Sequence, residues 1–251
     1  MQYDIYDRLP QIFTMEAFLD FSMKKGIANK LKSYRLLEEY IKEKKIYKVR
    51  NGLYCKKSHD DFLVGNNVFH LGYIALSQAL YLMRLKSEPS SYIYVGIDEN
   101  KKIVKFPYNK TTITYIPCNL PLAGITTVGS IFDDDERISI FNYPKTVFDI
   151  CFYPKRKLYM FADLDEALRR KNLTGDEYRE LLYYVKTFGN LTTVRIIGSI
   201  FESYGKSPAW FIEELEKMNK RKGYSYMLKN FKIRKNEYKN NFDKKWRLYI
   251  V

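Results

Sequence analysis

Two clusters of side chains in this chain have the types and spacing that chemistry needs. The first is Lys30, Lys32, Ser33, Tyr34 and Arg35, followed at a distance by Lys48, Arg50 and Asn51. Lysine and arginine neutralise phosphates, and an arginine can grip O6 and N7 of a guanine together, worth ~1–3 kcal/mol of base discrimination. The acidic pair Glu38-Glu39 comes only after that run, where a groove-reading helix would be leaving the groove. The second cluster is Gly129-Ser130 followed by Asp133, Asp134 and Asp135. A nucleotidyltransferase sets Gly-Ser at a helix start well ahead of paired aspartates that hold a metal. Here the acids follow after only three to five residues. That is too tight for such a fold, and an acidic loop is expected. There is no GxxxxGK or GxGxxG phosphate loop. His59 and His70 lack a partnered Ser or Cys motif, and His70, beside an apolar helix, reads as structural. No cofactor, no metal and no catalytic residue is expected.

The elements that must position the first cluster are legible around it. Thr14 is an N-cap for a helix over Met15–Ser22, and Gly26 breaks the pattern. A second helix starts between Asn29 and Ser33 and runs to about Lys44, with Leu37, Tyr40 and Ile41 on one face. Ile46 to Cys55 then reads as a hairpin turning at Asn51-Gly52, a pair suited to a type I′ turn with positive φ at both positions. Helix, turn, helix and hairpin in that order predict a winged helix-turn-helix over residues 1–60.

The rest of the chain alternates in character. A helix is predicted over Leu71–Met83. Strands follow at Tyr92–Ile97, Lys102–Phe106, Thr111–Ile116, Gly124–Val128 and Arg137–Phe141, with solvated tips at Asp98–Asn100 and Asp133–Glu136. Pro144 opens a helix ending near Phe152, and Asp163 caps another over Leu164–Lys171. Thr174 caps a long amphipathic helix, Asn190 or Thr192 opens the next, which Gly205 closes, and Ser207-Pro208 starts a helix over Ala209–Lys222. The predicted class is α+β: the winged helix-turn-helix, then a mixed sheet-and-helix domain over 61–205 and a basic helix and tail over 206–251.

Charge follows the same division. The formal net charge is +14, with +5 on residues 1–60, +1 on 61–205 and +8 on 206–251. A polyanion bound at the basic segments fits this distribution. From Lys217 to Arg247 bases interleave with aromatics, which suits either a nucleic-acid strand or aromatics packed onto the second domain. If the tail holds phosphates, deleting 223–251 lowers affinity uniformly. Neither a membrane span nor a signal peptide is visible, and Cys55, Cys118 and Cys151 lie far apart. A cytoplasmic protein is expected.

Several segments together resemble the AbiEi family of antitoxins, the transcription-regulating half of type IV toxin–antitoxin systems. They are the hairpin Ile46–Tyr54, the run Gly72–Leu80 with the strand at Tyr92–Val95, the stretch Ile138–Asp149 containing Tyr143-Pro144-Lys145-Thr146, and Arg195–Gly205. Coverage is about residues 12–205. The connection between the first two helices looks long for the family, and the basic tail has no counterpart in it. The resemblance implies a repressor that binds inverted repeats in its own promoter. It also implies a C-terminal domain that counters a nucleotidyltransferase-type toxin, as in abortive infection, without tight direct binding. A stand-alone winged-helix regulator and, more remotely, a nucleotidyltransferase-like enzyme are the alternatives.

Overall fold

Phe13, Phe18, Leu37, Tyr40, Ile46 and Tyr54 are the buried residues around which the first part of the chain closes. The computed structural model describes residues 5–27, 29–69, 72–97, 103–109, 111–117, 124–130, 135–152, 160–219, 225–227 and 242–250. A short helix α1 (Ile5–Arg8) and strand β1 (Ile12–Thr14) precede helices α2 (Met15–Lys24) and α3 (Lys30–Lys42) and the hairpin β2 (Ile46–Arg50) and β3 (Leu53–Lys56). Thr14 Oγ1 accepts from Ala17 N–H at 3.1 Å, and Asn29 Oδ1 accepts from Leu31 N–H at 2.8 Å. These caps fix both helix starts. Gly26 turns the chain between them at φ +89°. β1 joins the hairpin in the antiparallel order β1-β3-β2. Three residues are too few for alternation to reveal this strand; its pairing with β3 defines it.

The hairpin turn departs from the expected type I′. Only Gly52 has positive φ (+78°), and Asn51 does not. An unprimed turn splays its strands, and the register shifts between Lys48 and Arg50, leaving Val49 as the extra residue that restores local twist. Met15 N–H donates to Gly52 O at 3.0 Å, tying the turn to the start of α2.

Next come α4 (Asp61–Val68), β4 (Gly72–Ile74), α5 (Leu76–Leu82), β5 (Tyr92–Ile97), β6 (Val104–Tyr108), β7 (Thr111–Pro117), β8 (Ile125–Gly129) and β9 (Arg137–Phe141). Six of these make one sheet in the order β6-β7-β5-β4-β9-β8. The helix expected over 71–83 is therefore wrong in its first third. Gly72, Tyr73 and Ile74 pair antiparallel with Ile97, Gly96 and Val95. A Cβ on Gly72 would stand 2.7 Å from Val95 Cγ1, so glycine permits that approach. Strand β6 lies two residues beyond its expected start. Pro107 falls within it, tolerated because β6 is an edge strand. Glu136 is no solvated tip: its carboxylate accepts the Gln11 backbone N–H. Gln11 also donates to Ser130 Oγ (3.1 Å) and accepts from Asp60 N–H (2.9 Å).

The helices that follow are α6 (Tyr143–Phe152), α7 (Met160–Arg170), α8 (Gly175–Phe188), α9 (Leu191–Tyr204) and α10 (Ala209–Met218). Thr174 and Glu177 form a reciprocal capping box on α8, Asn190 caps α9, and Gly205 closes α9 at φ +61°. Asp163 is not a cap. It lies inside α7, where it pairs with Lys86 at 2.9 Å and accepts from Ser77. Helix α10 stops four residues earlier than expected, at Met218. Within α6, Lys145 Nζ lies 2.6 Å from both oxygens of Asp149, both residues are buried, and the Phe141 ring sits 4.3 Å away.

Strands β10 (Ser225–Met227), β11 (Phe242–Asp243) and β12 (Leu248–Ile250) form a small sheet in the order β10-β12-β11. Of the two expectations for the tail, packing holds for Trp246. It is fully buried, and a Cβ on Gly198 of α9 would lie 2.3 Å from its ring. Its Nε1–H donates to Glu202 at 2.7 Å. His70, Cys118, residues 98–100 and 131–134, and residues 228–241 lie outside the described residues.

The fold is mixed α+β. The chain divides into two compact units, one of Met1–Ile74, Val95–Cys118 and Thr127–Ser139, the other of Ala75–Tyr94, Asn119–Thr126 and Ile140–Val251. No helix among the described residues is long and apolar enough to cross a membrane.

Candidate nucleic-acid interface

Residues 24–50 carry ten basic and three acidic side chains, the densest positive stretch of the first unit. Helix α3 organises it. Leu37 and Tyr40 face inward with Ser33, which precedes them by four and seven residues, and the opposite face is left open. Lys32, Tyr34 and Arg35 are exposed away from that buried stripe, and Lys30, one heptad before Leu37, is exposed at the first position of the helix, all ahead of Glu38 and Glu39.

Ser33 is a correction. It is completely buried, and its Oγ lies 2.6 Å from Ser22 Oγ of α2. Each hydroxyl also has a backbone acceptor one turn back, Leu19 O at 2.9 Å for Ser22 and Asn29 O at 3.5 Å for Ser33, so the two share one proton between them. It holds α3 against α2 and is unavailable to a ligand.

On the hairpin, Lys48, Arg50 and Asn51 are exposed, the first two on the outer strand β2 of the three-stranded sheet. The two sets of residues are linked through Tyr54 of β3. Leu37 and Tyr40 of α3 share a core with Ile46 and Tyr54 of the hairpin, so helix and hairpin pack together, and burial pushes the Tyr54 phenol up. Burial raises the Tyr115 phenol of β7, and the Arg50 guanidinium pulls it partly back. One exposed apolar residue of α3 stands among its cations. Leu31 is 56% exposed between Lys30 and Lys32, and periodicity alone would mark it, since it shares no face with Leu37 or Tyr40.

The acidic cluster is differently placed. Gly129 ends strand β8 rather than starting a helix, Ser130 is buried against Gln11, and Asp135 is exposed.

A polar cluster the sequence did not disclose lies in the same unit. Tyr108 OH is 2.7 Å from His59 Nε2 and 3.4 Å from Cys55 Sγ, His59 Nδ1–H donates to Lys56 O at 2.7 Å, and Asp61 lies 3.4 Å from Nε2. Burial would lower the His59 pKa, but Asp61, Cys55 and Lys56 outweigh it and raise it to about 10. A raised folded pKa favours folding fully below the ordinary value of 6.5, and that contribution is lost as pH climbs toward 10. The melting-temperature gap between the native chain and His59→Gln should therefore narrow across that interval; a gap independent of pH would mean that the imidazole is neutral throughout. Cys55 is wholly buried, which keeps its thiol from acting as a nucleophile on dissolved substrates.

No protein-family model and no curated protein matches the chain. Among solved structures, the RV2827C protein from Mycobacterium tuberculosis is similar, with a TM-score of 0.60 over 97% of this chain and 87% of that one at 9% identity. At that identity the likeness is one of fold alone.

Proposed function

We propose that this chain is a cytoplasmic, DNA-binding transcriptional autorepressor, and the antitoxin of a type IV toxin–antitoxin pair. In this function α2, α3 and the β2–β3 hairpin act as a winged helix-turn-helix. The start of α3 enters the major groove of a promoter repeat, and the hairpin grips the backbone. The observation that carries it is the joint exposure of Lys30, Lys32, Tyr34 and Arg35 in the first two turns of α3, a helix packed against a hairpin that bears exposed Lys48, Arg50 and Asn51. The antitoxin role is supported by the AbiEi-like segments, including Tyr143-Pro144-Lys145-Thr146, and the partner it implies is a nucleotidyltransferase-type toxin met without stable direct binding.

A mobility-shift titration against the gene's own upstream region tests the DNA half. Arg35→Ala should cost ~1–3 kcal/mol on the cognate repeat and little on random duplex. Lys48→Ala should weaken both alike and flatten the salt dependence by about one ion. An Arg35→Ala protein that still discriminates fully would remove α3 as the reading helix. For the antitoxin half, co-expression with the product of the adjacent reading frame should relieve its toxicity; a harmless neighbour, or one unaffected by this chain, would leave a stand-alone regulator.

A further inference from the structure

We infer that Leu31 and Tyr34 recognise thymine methyl groups in the major groove, an assignment that rests on the DNA-binding function proposed above and names the bases it reads. Leu31, Tyr34 and Arg35 stand at i, i+3 and i+4 of α3 and so share one face, away from buried Ser33, Leu37 and Tyr40. Leu31 is 56% exposed and Tyr34 41%. The Asn29 cap accepts the Leu31 N–H at 2.8 Å, which fixes the backbone that presents the side chain.

A single exposed leucine is ordinary on any surface. Here it is set among Lys30, Lys32 and Arg35, so its partner must be both anionic and able to offer apolar groups at helix-accessible depth. Duplex DNA does this: phosphates line the major groove and the thymine C5-methyl projects into it. Duplex RNA does not, because uracil lacks the methyl and the A-form major groove is too narrow for side chains. Leu31 and Tyr34 therefore pack on thymine methyls while Arg35, one turn from Leu31, takes a neighbouring guanine.

The test starts from duplexes that the full chain selects out of a random-sequence DNA library. The preferred duplex is then resynthesised with deoxyuridine in place of thymidine, which deletes methyls and leaves every hydrogen bond. The native chain should bind the uracil form about fourfold more weakly per contacted methyl, the equivalent of ~0.8 kcal/mol. Leu31→Ala should bind the thymine form more weakly and lose the part of the difference between the two forms that Leu31 supplies, leaving that of Tyr34. Leu31 is exposed and alanine favours helix, so this variant folds. Equal binding of both duplexes by the native chain, with Arg35→Ala still costing affinity, overturns the methyl assignment and leaves DNA binding standing. Undiminished sensitivity to uracil in Leu31→Ala overturns it too. A library from which nothing is enriched overturns the assignment and the DNA-binding function together.

Discussion

Asp149→Ala is expected to lower folding stability by about 3–5 kcal/mol, because it strands the Lys145 ammonium in the core without a counter-charge. Lys145 and Asp149 side chains are 1% and 3% exposed, and Nζ is 2.6 Å from both carboxylate oxygens. Burial pushes the Asp149 carboxyl up and Lys145 draws it only partly back, so the ion pair does not fully offset the loss of water. The pair as a whole is a different matter. Desolvating two ions costs about as much as their attraction returns, and Lys145→Met with Asp149→Leu, flanked by the Phe141 and Phe148 rings, should come out neutral or more stable. Urea unfolding of the three proteins decides this, with the slope of each transition checked for constancy. A loss below about 1 kcal/mol in Asp149→Ala, the worth of a solvated pair, would mean the ions are not enclosed.

Trp246→Ala should cost a similar ~3–5 kcal/mol, as for other large aromatics removed from a core. The ring fills a seat that exists because Gly198 has no side chain: a Cβ there would lie 2.3 Å from it. Gly198→Ala alone should cost ~1–3 kcal/mol by overpacking. Combined, the two substitutions should cost less than the sum of their separate effects, since the added methyl enters space the ring has left. Strict additivity would show that Trp246 does not rest on Gly198. The same packing spoils truncation as a probe of the tail. Deleting 223–251 removes Trp246 along with the lysines, so weakened DNA binding would follow from unfolding as readily as from lost phosphate contacts. Lys244→Gln, at an exposed position, removes charge and spares the core.

What the sequence disclosed and what it hid differ in range. Thr14, Asn29, Thr174, Asn190 and Gly205 act on backbone groups within a few residues, and their helices begin or end where those residues stand. Gly72–Ile74 is a strand because Val95–Ile97 lies alongside it, and nothing within the local pattern separates those three residues from the helix after them. The α3 cations were visible as types in a run. Which of the run faces outward depends on the core position, and Ser33 went astray because its hydroxyl looks like a ligand donor until its spacing to Leu37 and Tyr40 is weighed. His59 was invisible as part of a cluster because Tyr108 arrives from another strand.

The first unit draws its residues from three separated stretches, and Gln11, Cys55 and Asp60 find their partners Ser130, Glu136 and Tyr108 far downstream. A recombination crossover near codon 60 would therefore hand a recipient gene α3 with its own apolar core but without the downstream partners of Gln11, Cys55 and Asp60. Mosaic genes joined at that point should be rare, because they leave those buried polar groups to find new partners.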